Sequence, residues 1–174
     1  MSGRNTTLGP PPYLGLTWRG GTAPKLQRGI AWMLHKGAPI PQLAAAVKPV
    51  AGTLLVLQRA PEPGEIEELQ RHLGRPVHDL SALNEDLEGM LALLALIDEY
   101  VGVSNANMHL RSSVGKTARV LMPCPAELRW LAAGDESPWF PGFRIYRQRP
   151  DGDWGAAFSA LAEALLQSFA PSRG

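Results

Sequence analysis

Only one cysteine, no long apolar run and no block of like charge occur in this sequence of 174 residues. A lone cysteine, Cys124, excludes an internal disulfide bond and indicates a reducing compartment. No apolar run approaches the ~20 residues of a membrane span, and the first residues lack the apolar core of a signal peptide. The net charge of +1 comes from intermixed acidic and basic residues, which argues against nucleic-acid binding. We therefore expect a cytoplasmic protein with no membrane span and no nucleic-acid partner.

Apolar residues, in contrast, are plentiful: 45% of the residues are hydrophobic and 19% are charged, as in a folded globular domain. Residues 1–12 are polar and end in prolines, so we predict a flexible tail there and a single domain over residues 13–174. Short apolar runs alternate with segments of helical periodicity, which is typical of βαβ units. The sequence predicts a Rossmann-like, three-layer α/β domain, with a mostly parallel sheet of about six strands covered by helices on both faces.

The individual elements can be placed from the same pattern. The predicted strands lie at residues 14–18, 53–58, 76–80, 100–104, 118–122 and 144–147. The predicted helices lie at residues 41–47, 65–73, 86–97, 107–114, 127–132 and 154–169. No internal repeat interrupts this order.

In such a sheet, ligands bind at the carboxyl ends of the strands. Glycines, positive charges and small polar residues gather at or near this edge, which favours an anionic ligand that carries polar groups. The candidate substrate-binding residues are Arg19, Gly20, Gly21, Lys36, Gln58, Arg59, Glu85, Ser104, Asn105, Ala106, Asn107 and His109.

Residues 100–121 carry the clearest of these signals. An apolar run ends at Ser104, Asn105 turns the chain, and a helical apolar stripe then continues to Gly115. Free N–H groups and the positive end of the helix dipole suit phosphate at such a helix start. We predict a phosphate contact there, with His109 as the side chain most exposed to the ligand.

Several of these candidates also have an ordinary structural interpretation. Asn105 fits an N-cap, which remains compatible with phosphate binding at later N–H groups. A solitary histidine such as His109 commonly packs or is solvated, and Lys36 could be an ordinary surface lysine. The pair Gly20 and Gly21 permits close backbone approach, but two glycines alone are weak evidence.

The sequence predicts no cofactor, no metal site and no identifiable catalytic residue. The four histidines show no ligand spacing. Asp151, Gly152 and Asp153 have the pattern of a turn before the closing helix rather than of a metal motif. A group of aromatic residues broken by prolines could stack on a ligand, but we favour a crossover that packs the last helix; it comprises Trp130, Trp139, Phe140, Phe143 and Tyr146.

Four segments together resemble one protein family: residues 15–22 (GLTWRGGT), 79–110, 129–148 and 152–154 (GDW). They are similar to the C-terminal half of bacterial glycosyltransferases related to the heptosyltransferases and to tetratricopeptide-repeat glycosyltransferases. The resemblance implies the GT-B arrangement, in which two Rossmann-like domains face a cleft and the C-terminal domain holds a nucleotide-sugar donor. It also implies that His109 faces the diphosphate and that no metal is needed.

The chain departs from the family at three points. Many relatives begin the phosphate turn with Asp-Thr, where this chain has Ser104 and Asn105, and Arg111 replaces a small residue. An N-terminal domain that binds the acceptor and supplies the base, or a tetratricopeptide-repeat segment, is absent. The resemblance therefore implies the donor-binding half of a hexosyl- or heptosyl-transferase, incomplete for catalysis alone. The alternative is a degenerate, non-catalytic domain that binds a partner.

Overall fold

The computed structural model describes residues 8–21 and 36–170, and a sheet of six parallel strands lies at its centre. The strands are β1 (Tyr13–Leu16), β2 (Arg19–Gly20), β3 (Lys36–Gly37), β4 (Thr53–Val56), β5 (His78–Asp79), β6 (Glu99–Val103), β7 (Arg119–Met122) and β8 (Arg144–Arg147). The order of the large sheet is β5-β4-β1-β6-β7-β8, and every neighbouring pair is parallel. The predicted Rossmann-like sheet is confirmed. An additional two-stranded antiparallel hairpin, β2 with β3, was not predicted.

Five helices cover this sheet within the described ranges. They are α1 (Ile40–Val47), α2 (Glu65–Leu73), α3 (Leu87–Leu96), α4 (Ala106–Ser113) and α5 (Gly155–Ser168). The helix predicted at residues 127–132 is only a short 3₁₀ turn, Leu128–Trp130, and a second such turn spans Ser81–Glu85. Among the residues described, no helix has both the length and the apolar character needed to cross a membrane.

The central strands bury side chains on both faces, which explains why their sequences are mainly apolar, whereas the edge strands β5 and β8 are more polar. Leu14, Leu16 and Leu54 point into one core with α1, α2 and α5. Leu55, Leu57 and Val120 point into a second core with α3 and α4. Within the first core α1 packs directly against both α2 and α5. The arrangement is a three-layer sandwich.

The aromatic crossover between β7 and β8 packs on the opposite face from the one we predicted. Trp130 stacks on Phe140 with ring centroids 4.5 Å apart, and Phe143 completes the group in the core of α3 and α4. The last helix, α5, belongs to the other core. Trp139 is 55% exposed and takes no part in the cluster. The prediction that this segment packs the last helix was wrong for Trp130, Phe140 and Phe143, whereas Tyr146 does pack against the core that contains α5. Residue pattern alone does not say which face a crossover covers.

The prediction of a flexible tail over residues 1–12 extends beyond the described part of the chain. Residues 8–12 are described, and there the carbonyl oxygen of Pro10 accepts a hydrogen bond from the Thr53 hydroxyl at 2.7 Å. The carbonyl oxygen of Pro12 accepts one from the Thr53 N–H at 2.9 Å. These bonds attach residues before β1 to the start of β4.

Candidate phosphate-binding site at the switch point

The strand order reverses between β1 and β6, so the carboxyl ends of these two strands form the crevice where Rossmann-like folds bind ligands. A buried hydroxyl network closes the floor of this crevice. The Thr17 hydroxyl lies 3.0 Å from the Tyr100 hydroxyl and accepts a hydrogen bond from Asn105 Nδ2 at 2.9 Å. Burial raises the pKa of Tyr100 to about 12, so its hydroxyl stays protonated. A Cβ on Gly102 would lie 2.0 Å from the Thr17 Oγ1, so glycine makes room for this network.

The same asparagine begins the helix. Asn105 is the N-cap of α4, and its Oδ1 accepts a hydrogen bond from the Asn107 N–H at 2.9 Å and one from the Tyr100 hydroxyl at 3.1 Å. Ala106 is exposed, whereas the Asn107 side chain is buried and its Nδ2 lies 3.4 Å from the carbonyl of Leu57. Our N-cap interpretation of Asn105 therefore holds. With its N–H bound to the Asn105 side chain and its own side chain buried, Asn107 has no donor directed at a ligand.

Ser104, the last residue before this cap, belongs to an ion-pair cluster. Its hydroxyl donates to Glu127 Oε2 at 2.5 Å, and Lys36 Nζ donates to Glu127 Oε1 at 2.8 Å. Burial by itself would raise the pKa of Glu127, but the hydrogen bonds from Lys36 and Ser104 hold it below its usual value. Glu127 was not among the predicted site residues. It comes from the β7–β8 crossover, far along the chain from both of its partners.

His109 lies on the exposed side of α4, beside a second residue that the sequence did not single out. Its Nε2 is 2.7 Å from Arg129 Nη1, and its ring meets the edge of Phe140 at a centroid distance of 5.1 Å. Burial and the positive charge of Arg129 lower the pKa of His109, while Glu127 acts in the opposite direction. The neutral imidazole accepts the arginine hydrogen bond, so the basic side chain of Arg129 is aligned with the histidine.

Arg19 is engaged within the protein. Its guanidinium binds both oxygens of Glu65 at 2.8 Å and also donates to the carbonyl of Ala60 at 2.7 Å. This bidentate bond raises the pKa of Arg19. Gly20 packs against the α4 turn, because a Cβ there would lie 2.8 Å from the carbonyl oxygen of Ser104. Gly21 is exposed and is the last residue that the structure describes before Lys36.

The remaining candidates lie away from the α4 start. Gln58 is buried, and its Oε1 accepts hydrogen bonds from the N–H groups of Trp18 and Arg19, both at 3.0 Å. It thereby fixes the turn after β1. Arg59 and Glu85 form an exposed ion pair at 3.4 Å, with side chains 73% and 75% accessible. Such a pair contributes little to stability, and either partner is free to exchange it for a ligand.

The fold thus brings together six side chains, which we term the switch-point cluster: Lys36, Ser104, Asn105, His109, Glu127 and Arg129. Their coupling is visible in the pKa of His109, which responds to the charges of Lys36, Glu127 and Arg129. With a neutral imidazole the cluster carries a net charge of +1, since two cations meet one carboxylate. A helix N-terminus next to this charge is suited to an anion.

A cavity of about 300 Å³ lies elsewhere along the same edge. Its walls include Trp18, Pro39 and Pro41, and Glu65 and Glu68 supply its acidic rim. None of its lining residues comes from α4. The switch-point cluster is the stronger candidate for an anion, because the cavity offers two carboxylates and its one arginine is already bound to Glu65.

The fold and this edge define a Rossmann-like α/β domain of the kind that binds ligands at a switch point. No protein-family model matches the chain. The chain is 30% identical over 169 residues to Protein FlbA of Caulobacter vibrioides, an alignment that covers 95% of this chain and 26% of FlbA. Its fold is similar to that of the glycosyl transferase family 9 protein of Veillonella parvula, with a TM-score of 0.56 and 13% identity. That match covers 95% of this chain and 48% of the other. The chain therefore spans about a quarter of one relative and about half of the other.

Proposed function

We propose that this chain is the nucleotide-sugar donor-binding half of a metal-independent glycosyltransferase of the GT-B arrangement. The observation that carries the proposal is the pairing of His109 with Arg129 at 2.7 Å beside the capped start of α4. These two side chains place hydrogen-bond donors where the backbone and helix dipole already favour negative charge. The fold shared with a family 9 glycosyltransferase supports the proposal.

In this proposal the donor diphosphate sits at the start of α4. Arg129 has a planar guanidinium that can bind two phosphate oxygens, and the imidazole of His109, whose Nε2 accepts from Arg129, can donate to a third from its other ring nitrogen. Both groups would stabilise the charge that develops on the departing nucleoside diphosphate. Lys36 adds positive charge from the other side, shared with Glu127. The base that activates the acceptor would come from a further domain or a tetratricopeptide-repeat segment.

Calorimetric titration with UDP-, GDP- and ADP-sugars tests the donor role. His109→Ala should weaken binding of the matching nucleoside diphosphate by about ten- to a hundredfold, because a charge-assisted hydrogen bond is worth roughly 1.5–3 kcal/mol. Affinity should also fall as pH rises past the imidazole pKa if the ligand binds the imidazolium form rather than the neutral ring that accepts from Arg129. The control is His72→Ala, which removes an exposed histidine from α2. Absence of binding to every nucleotide sugar at millimolar concentration would refute the donor role.

The isolated chain should not transfer sugar to an acceptor. One Rossmann-like half cannot enclose donor and acceptor together, and the chain spans 48% of its glycosyltransferase neighbour. A radiochemical assay with the purified chain and a panel of acceptors measures this directly. Clear transfer would show that the argument from an incomplete cleft is wrong, whereas slow donor hydrolysis would not, because water needs no acceptor site.

A second candidate function is a non-catalytic domain that binds a protein partner. The observation that favours it is the engagement of Arg19, Lys36 and Ser104 in contacts within the protein, which leaves fewer groups free for a ligand. Exposed leucines accompany this, including Leu96 at 78% and Leu128 at 84%. The calorimetric experiment separates the two functions, because a partner-binding domain has no reason to prefer nucleotide sugars.

A further inference from the structure

Glu127 is the only carboxylate that bonds directly to other members of the switch-point cluster in the part of the chain that the structure describes. Its side chain is 19% accessible, whereas the side chain of its partner Lys36 is 9% accessible. Each carboxylate oxygen holds one partner: Lys36 Nζ on Oε1 and the Ser104 hydroxyl on Oε2. A carboxylate has about four acceptor sites, so roughly two remain for a ligand.

This arrangement affects two classes of ligand in opposite ways. A bare diphosphate offers mainly acceptor oxygens and negative charge, and the carboxylate repels it while keeping Lys36 partly neutralised. A diphosphate that carries a sugar brings hydroxyl groups next to the phosphates, and those hydroxyls can donate to the free acceptor sites of Glu127. Discrimination between similar ligands commonly depends on such a repulsive element together with a new attractive one.

We infer that Glu127 is a specificity-determining residue of the site, which favours diphosphates whose terminal phosphate carries a sugar over bare diphosphates, namely pyrophosphate and nucleoside diphosphates, whose terminal phosphate is unsubstituted. The inference rests on the proposed donor site for the position of the phosphates. It adds a role for a residue of the β7–β8 crossover, with Lys36 and Ser104 as the groups that orient its carboxylate. The Ser104 hydroxyl donates a hydrogen bond to Glu127, so the serine oxygen can still accept a hydrogen bond from a ligand.

Glu127→Gln tests the inference, because glutamine keeps the shape and one acceptor oxygen but removes the charge. Calorimetry is run on the full chain with pyrophosphate, with UDP, GDP and ADP, and with UDP-glucose, GDP-mannose and ADP-glucose. We expect pyrophosphate and nucleoside diphosphates to bind about tenfold more tightly to the variant. The preference for each nucleotide sugar over its nucleoside diphosphate should fall by about fivefold, since a charged acceptor makes the stronger hydrogen bond. A gain in affinity cannot result from misfolding.

The matched control is Glu136→Gln, which removes a carboxylate from the same crossover where it pairs with Arg144 on the surface. If Glu127→Gln does not fold, Glu127→Asp replaces it. The retained charge should keep pyrophosphate binding weak, and the shorter side chain should lower the preference for a nucleotide sugar over its nucleoside diphosphate. Unchanged pyrophosphate affinity and unchanged preference in Glu127→Gln, or equal changes in the control, would overturn the inference. If the parent binds no nucleotide sugar, the donor function fails, and the pyrophosphate comparison still decides whether Glu127 selects against bare diphosphates.

Discussion

Arg111 is the buried charge whose removal should destabilise this fold most. It is 2% exposed, and its guanidinium donates to the carbonyl oxygens of Ile97 at 2.9 Å, Asp98 at 3.2 Å and Thr117 at 2.9 Å, and to that of Leu94. Burial lowers its pKa, and nearby carboxylates act in the opposite direction. One side chain on α4 therefore satisfies the carbonyl groups at the end of α3 and in the turn after α4.

Arg111→Met keeps much of the apolar stem but leaves these carbonyl groups without their donor. A hydrogen bond to a charged group contributes roughly 1.5–3 kcal/mol, and the four bonds share one guanidinium, so their energies do not add. We expect the free energy of unfolding to fall by about 3–5 kcal/mol, because several carbonyl groups lose their donor at about 1–3 kcal/mol each and these losses add only in part. Arg111→Lys should lose less, since an ammonium group can still donate to part of this set.

Urea unfolding followed by tryptophan fluorescence measures both variants. The control is Arg71→Met, which removes an exposed arginine from α2 and should change stability by less than about 0.5 kcal/mol. If Arg111→Met lost less than about 1 kcal/mol with an unchanged denaturant slope, the carbonyl groups would have found other donors and the reasoning would fail. The result bears on the site as well, because Arg111 attaches α4 to α3 and so holds the helix that begins at the switch point.

Trp130, His109 with Arg129, and Gly102 supply three further predictions. Trp130→Ala should lower the free energy of unfolding by about 3–5 kcal/mol, because the indole is buried against Phe140. Replacing the exposed Trp139 by alanine should lower it by less than about 0.5 kcal/mol. The reverse order in urea unfolding would refute the packing described above. The pKa of His109 is lower in the folded protein than the ~6.5 of the unfolded chain, so the unfolded chain binds the proton more readily. The free energy of unfolding should therefore decrease as pH falls below ~6.5, down to the pKa of the folded state. In Arg129→Gln the imidazole pKa, measured by NMR titration, should rise; a further fall would contradict the assignment. Gly102→Ala should destabilise by about 1–3 kcal/mol, because the added methyl group collides with the neighbouring threonine; an unchanged melting temperature would contradict this.

The main sheet was predictable because its signals are local. The central strands β1, β4, β6 and β7 are short, mainly apolar runs bounded by turn residues, and helices such as Glu65–Leu73 repeat their apolar residues at helical spacing. The cap at Asn105 is equally local. The hairpin of β2 and β3 was not predictable, because its two-residue strands lack any periodicity and pair across a long connection.

The partners of the candidate site residues depend on long-range packing, which sequence patterns do not encode. Arg19 and Glu65 meet only because the starts of β2 and α2 lie side by side in the folded chain. Lys36 lies in β3 and binds Glu127, which belongs to the connection between β7 and β8. The sequence marked the cations as candidates by their place at the edge, but it contained no local signal for the carboxylates that bind them. The roles assigned to these residues in ligand binding remain predictions.

The contact between α1 and α5 has a consequence for how the protein is made. It joins Ile40–Val47 to Gly155–Ser168, so one core closes only after the last helix has left the ribosome. Until then α1 is covered by α2 and the sheet but not by α5, and a nascent chain in that state depends on chaperones or on speed to escape aggregation. Closing a loop on the order of 100 residues also makes this a late step in folding. Any fusion or truncation that delays α5 should therefore reduce the yield of protein rather than the quality of the molecules that fold.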